Sequence, residues 1–151
     1  MGRILDALVD FFERDDWKVQ PIEGQEALRM GFSGDNGNWS CFARAREQQD
    51  QALFRSICAV NAPPEKRQVM AEFICRANYG LVVGNFDFDF SDGEISYKTS
   101  VDAGDGPLTF ELIKSMVYAN VVMMDKYLPG IMAVLYAGKT PEEAITMVEG
   151  E

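Results

Sequence analysis

Three aspartates fall within six positions of the stretch LVVGNFDFDFSDGEISYKTS, residues 81–100: Asp87, Asp89 and Asp92, followed by Gly93 and Glu94. Carboxylates so spaced could hold a metal, share a proton as an acid/base pair, or line the polar face of a hairpin. A calcium loop needs oxygen ligands at its first, third and fifth positions, glycine at the sixth and a bidentate glutamate at the twelfth. Counted from Asp87, the sixth position is Asp92 and the twelfth is Lys98, so the glycine comes one place late and a cation replaces the acid. No shift of register repairs both. A hairpin accounts for every residue: Phe86, Phe88 and Phe90 alternate with Asp87 and Asp89, and Asp92-Gly93 suits a two-residue turn. That turn predicts Phe90 opposite Ile95, Phe88 opposite Tyr97, Asp89 opposite Ser96 and Asp87 opposite Lys98. Asp87 and Asp89 would share a solvated face, with nothing to supply the apolar pocket that raises one carboxylate's pKa. No metal site and no catalytic pair is expected.

Other absences narrow the chemistry further. The 151-residue chain contains no histidine, which excludes imidazole bases, Ser–His and Cys–His nucleophiles and most zinc sites. Cys41, Cys58 and Cys75 are too widely spaced for paired thiol chemistry. Each lies in an apolar run, so inert buried thiols and a reducing, cytoplasmic setting are expected. No GxxxxGK[ST] and no strand–GxGxxG–helix pattern is present, and no cofactor is expected. A net charge of −10 disfavours nucleic acid and anionic membrane as partners. Asp6, Asp10 and Glu13 interrupt what would be the core of an export signal, and no uncharged run is long enough to span a bilayer.

Two features could serve binding. Arg29, Arg44 and Arg46 fall on the strand faces opposite Leu28, Met30, Trp39, Cys41 and Ala43, and Arg55 joins them from the next strand. Cations gathered on one face of an acidic protein suit an acidic partner segment or a small anion. The plainer reading is a solvated face balanced by Glu47 and Asp50, as charge rows on strands usually are. The second feature is the long helix, whose apolar residues exceed one stripe. Met116, Val122, Met123, Met124, Ile131 and Leu135 are candidates for a dimer or groove surface, methionine being adaptable at contacts. A helix sunk in its own core would also be apolar all round.

The elements that must position these residues follow from periodicity. An amphipathic helix over 3–14 presents Ile4, Leu5, Leu8, Phe11 and Phe12. A short extended piece ends at Pro21, and strands follow over 27–32, 39–46 and 53–60, the first two joined by a turn at Asn36-Gly37. A helix from Pro64 to Tyr79 comes next, with Gly80 placed for a left-handed cap. The aspartate hairpin supplies two more strands. A long helix begins near Leu108, and Pro129-Gly130 should kink or break it. Thr140-Pro141-Glu142-Glu143 forms a capping box for a last short helix. The order α-β-β-β-α-β-β-α predicts one α+β domain over 1–151, an antiparallel sheet with its helices on one face.

The chain resembles the YbjN domain family, bacterial regulators of sensory transduction or stress. The resemblance rests on Arg76-Ala77-Asn78-Tyr79-Gly80, Gly84-Asn85-Phe86, Asp92-Gly93-Glu94 and Tyr97-Lys98, with Pro63-Pro64 and Asp125-x-Tyr127-x-Pro129. It spans about 17–144, with some similarity to cyanobacterial members, and implies the fold of type III secretion chaperones. It carries no catalytic residues. The expected function is a non-enzymatic, homodimeric interaction domain for a protein partner, chaperone-like or regulatory. The alternative is a sensor of a small anionic ligand on the arginine face.

Overall fold

A computed structural model describes residues 2–150. Helix α1 (Arg3–Arg14) buries all five residues of its apolar stripe, Ile4, Leu5, Leu8, Phe11 and Phe12. Gly2 offers no side chain to cap the helix, so two of its unpaired N–H groups find a distant partner. Ile4 N and Leu5 N donate to the two carboxylate oxygens of Glu47 at 3.0 and 2.8 Å, and the acid also faces the positive end of the helix dipole.

Six strands form one antiparallel sheet in the order β1-β2-β3-β4-β6-β5. They are β1 (Gln20–Pro21), β2 (Ala27–Ser33), β3 (Asn38–Arg46), β4 (Gln51–Ile57), β5 (Asn85–Phe88) and β6 (Ile95–Asp102). The expected α+β architecture is the one found, with β1 added as a short edge strand. Alternation sets the two faces. Leu28, Met30, Trp39, Cys41, Ala43, Ala45, Ala52, Phe54, Ile95 and Tyr97 point inward and are buried. Helices α1, α2 (Arg67–Tyr79) and α3 (Phe110–Tyr136) cover this face, and α4 (Pro141–Glu149) packs on α2 and α3. The expected capping box is present: Glu143 N donates to Thr140 Oγ1, and Thr140 N to Glu143 Oε1.

Of the kink or break expected at Pro129, the break does not occur: α3 runs as one helix over 27 residues. Proline has no N–H to offer the carbonyl four residues back, here that of Asp125. Asn36 in the β2–β3 turn supplies the missing donor, its Nδ2 lying 3.0 Å from Asp125 O. The Asp125 carboxylate in turn accepts Asp35 N and Asn36 N. Gly130 lets another helix approach, since a Cβ there would meet the Phe73 ring of α2 at 2.7 Å.

α3 also carries the one fully buried asparagine, Asn120. Its Nδ2 faces Phe54 O and Tyr97 O, both at 2.9 Å, with Thr99 Oγ1 at 3.2 Å, and its Oδ1 accepts Ser56 Oγ at 2.6 Å. Thr99 Oγ1 donates to Met116 O. Polar groups in an apolar core must be satisfied, so this knot fixes where α3 sits on β4 and β6.

The aspartate hairpin differs from its expected form. The strands pair Phe86 with Tyr97, Asp87 with Ser96 and Phe88 with Ile95, a shift of two residues. Residues 89–94 form a wider loop and leave Phe90 unpaired and exposed. Only Gly93 has positive φ there, at 81°, whereas the expected turn needs it at Asp92 also. Several contacts hold the wider loop. Asp89 Oδ1 accepts Ser91 N and Oγ, which pulls its carboxyl below the usual range. Arg67 donates to Phe90 O, and Ala62 N to Gly93 O. A Cβ at Gly93 would run into the Ala62 carbonyl.

Two smaller expectations also fail. Gly80 has φ −99°, so α2 ends without a left-handed cap. Cys41 and Cys58 are buried but Cys75 is exposed, on the outer side of α2. Burial pushes the Cys41 thiol up to about 11.

Candidate protein-docking surfaces

Among the described residues no helix covers the outer face of the sheet, and the cations gather there. The strand registers set Gln20, Arg29, Phe42, Arg55, Lys98 and Asn85 side by side in one row across all six strands. With neighbouring strands about 4.8 Å apart, the row is about 24 Å long. Arg44 lies in the next row, opposite Ala27 and Leu53, and Arg46 lies opposite Gln51 near the end of the sheet. All four arginines named from the sequence therefore share this face. Half-buried Phe42, Leu53 and Ile57 lie among them, a mixture of apolar and cationic groups that a purely solvated face does not need.

The arginines are not equivalent. Arg55 donates to Asp87 Oδ2 at 3.1 Å and to Ser96 Oγ at 2.9 Å, and Lys98 Nζ lies 3.4 Å from the same Asp87 oxygen. Asp87 thus ties β5 to β4 and β6, while Asp89 turns into the loop and bonds Ser91. Arg44 donates to Gln25 Oε1 at 2.8 Å. Arg29 stands over a shallow depression that it lines with Gln20, Pro21, Ile22, Gln25, Phe42 and Arg44. Among the described residues no cluster of acids and thiols could hold a metal.

The long helix departs from expectation. Met116, Met124, Ile131 and Leu135 are buried in the protein's own core, because α3 is wrapped by the sheet, α1, α2 and α4. Of the six residues named, Val122 is exposed and Met123 is half-buried. A different segment dominates the apolar surface. Tyr79 is 96% exposed and Val82 94%, with Val83 and Leu112 also open to solvent. Leu81, Val82 and Val83 face Ala119, Met123, Lys126 and Tyr127 of α3 across a cleft of about 520 Å³, with Glu149 of α4 at its end. The run Tyr-Gly-Leu-Val-Val-Gly offered a signal: apolar residues flanked by glycines, outside the strand alternation.

A family model with the description "YbjN: Putative bacterial sensory transduction regulator" matches residues 5–132. The chain belongs to the YbjN family. No curated protein matches its sequence. Among solved structures, YbjN from E. coli, described as "a putative transcription regulator", matches with a TM-score of 0.61 at 13% identity, covering 89% of this chain and 90% of that one. A chain of the ExsC–ExsE complex matches with a TM-score of 0.52 at 13% identity, covering 84% and 94%. A chain of the HopA1–SchA chaperone–effector complex matches at 0.51 and 14%, covering 79% and 88%. At such identities the likeness is one of fold, and the fold is the secretion-chaperone-like one expected from the sequence.

The residues that carried the YbjN resemblance act as fasteners. Asn78 Oδ1 accepts Phe86 N and its Nδ2 donates to Phe86 O, so the helix end occupies the edge of β5. Such plugging of an edge strand prevents indiscriminate pairing. Tyr97 OH donates to Val83 O, and burial pushes the phenol up to about 12. Asp125 anchors the β2–β3 turn. Tyr127 OH donates to Glu149 Oε2 at 2.5 Å, tying α4 to α3. Among the described residues no helix is long and apolar enough to cross a membrane.

Proposed function

We propose that this chain is a non-enzymatic, cytoplasmic interaction domain, regulatory or chaperone-like, that takes an extended acidic segment of a partner protein across its sheet. The carrying observation is the bare outer face, where Arg29 stands beside half-buried Phe42 and Arg44 beside half-buried Leu53, with Arg46 on the same face, on a chain of net charge −10. Apolar side chains of the segment would cover Phe42 and Leu53, and its acids would pair with the arginines. The YbjN family description and the partner-bound state of two structural neighbours support the reading.

Selection from a random peptide display library tests it. Acidic segments with interspersed apolar residues should be enriched, and Arg29→Glu with Arg44→Glu should abolish the enrichment. Selection unchanged by the double reversal would refute docking on this face. A thermal shift with anionic metabolites, lost in Arg44→Ala, would instead favour the small-ligand sensor. The homodimer expected from the sequence is kept with a different surface: Tyr79, Val82, Val83 and Val122, whose exposure is unusual for a monomer. Light scattering should show a dimer that Val122→Glu disperses; a monomer at micromolar concentration would sink it. Met124→Glu cannot serve, because Met124 is fully buried and a charge there would report on folding.

A further inference from the structure

α4 buries less of itself than the other three helices do. Only Pro141 and Ala144 are fully buried, while Ile145 and Val148 pack half-exposed on the core. A nine-residue helix is marginal on its own, so α4 exists because the surface between α2 and α3 receives it. That surface has the features of a helix-accepting groove. Gly130 of α3 leaves room where Val148 and the Phe73 ring converge. The rim carries cations: Arg76 on α2, which pairs with Glu72 at 2.8 Å and feels Glu142 more weakly, and Lys126 on α3, which lines the cleft together with Glu149. α4 is acidic at both ends, with Glu142, Glu143 and Glu149, and has no basic residue. The groove does not end with its occupant. Beyond Glu149 it opens into the cleft lined by Leu81, Val82, Val83 and Met123. α4 also lies outside residues 5–132, the part matched by the family model.

We propose that the α2/α3 groove is a docking site for an acidic amphipathic helix of a partner protein, and that α4 is its built-in competitor. A partner helix with α4's pattern, a small residue followed by aliphatic residues one and four positions later, fits the same contacts. One longer than α4 would also run into the cleft and cover Val82 and Val83, which α4 leaves bare, and would there compete with the homodimer contact. The site is distinct from the arginine face and independent of it.

The test uses the full chain and a fluorescein-labelled peptide of residues 139–150 as probe. Ala144→Arg places a charge where Ala144 is fully buried and expels the chain's own α4. Polarisation should show the peptide binding Ala144→Arg at least about tenfold more tightly than wild type, because a tethered competitor acts at roughly millimolar effective concentration. A peptide carrying the same substitution should not bind. Arg29→Glu with Arg44→Glu should leave peptide affinity unchanged, so failure of the sheet-face reading stays distinguishable. Equal or absent binding, with near-UV circular dichroism of the variant intact, overturns the proposal. If Ala144→Arg does not fold, hydrogen exchange on wild type decides. α4 amides exchanging about 100-fold faster than those of α2 and α3 support the proposal, and exchange together with them overturns it.

Discussion

Asn120 offers the sharpest test of how the helices are held to the sheet. Asn120→Ala removes the donors to Phe54 O and Tyr97 O and the acceptor of Ser56 Oγ, in a site with no access to water. At about 1 kcal/mol for each lost bond, plus a small cavity and a hydroxyl left with only the weak 3.5 Å contact to Cys41 Sγ, the loss should be about 3–4 kcal/mol. For a domain of this size 1 kcal/mol shifts Tm by roughly 2–4 °C, so a fall near 10 °C is expected. Urea denaturation should show the midpoint lowered at unchanged m. Asn120→Asp should cost more at neutral pH, because a carboxylate would face two carbonyls. It should recover as the pH falls and the carboxyl is protonated, since a pKa raised in the folded state gives stability that is present in acid and lost as pH rises. A Tm for Asn120→Ala within about 2 °C of wild type would refute the knot's role.

Three further outcomes follow from the geometry. Asn36→Ala should cost about 1 kcal/mol in urea melts and much less in a Pro129→Ala background, where residue 129 gains an N–H for Asp125 O; equal costs would break the proposed compensation. Gly130→Ala should destabilise by about 1 kcal/mol net, the crowding of Phe73 at about 1–3 kcal/mol outweighing the roughly 1 kcal/mol helix gain from alanine; a stabilised variant would show that Phe73 yields. The Cys41 thiol titrates at about 11 in the fold against 9.0 for the solvated group, so below about pH 9 its contribution is intact. Above that the unfolded state ionises first and stability falls by up to roughly 3 kcal/mol. Thermal melts from pH 8 to 11 should show a shallower decline in Cys41→Ala.

Local patterns were legible and distant partners were not. The stripe of α1 and the capping box at Thr140 follow from spacings of three and four residues, and both appear as read. The apolar excess of α3 was also legible, but periodicity cannot tell a helix buried in its own core from one buried in a partner. Three other helices and the sheet consume Met116, Met124, Ile131 and Leu135. Two of the contacts that decide details join residues far apart in sequence: Glu47 capping α1 and Asn36 completing α3. A carboxylate or amide that will serve a backbone group some ninety residues away leaves no local trace.

The aspartate hairpin shows why an error in register did little harm to the reading of the site. The expected turn was too tight by four residues, three on the β5 side and one on the β6 side, and this imbalance moved each pair by two. Side chains alternate with period two, so a slip of two returns every residue to its own face. Phe86 and Phe88 therefore still point to the core, and Asp87 still reaches Lys98, now diagonally, while gaining Arg55 as a closer partner. A slip of one would have buried Asp87 and exposed Phe86, a cost the core would not tolerate. The face of a strand residue is thus set by the whole pattern, whereas its opposite number is set by the loop. For the same reason the arginines could be placed on one bare face from sequence, while the rows they occupy, and the depression beneath Arg29, had to wait for the registers.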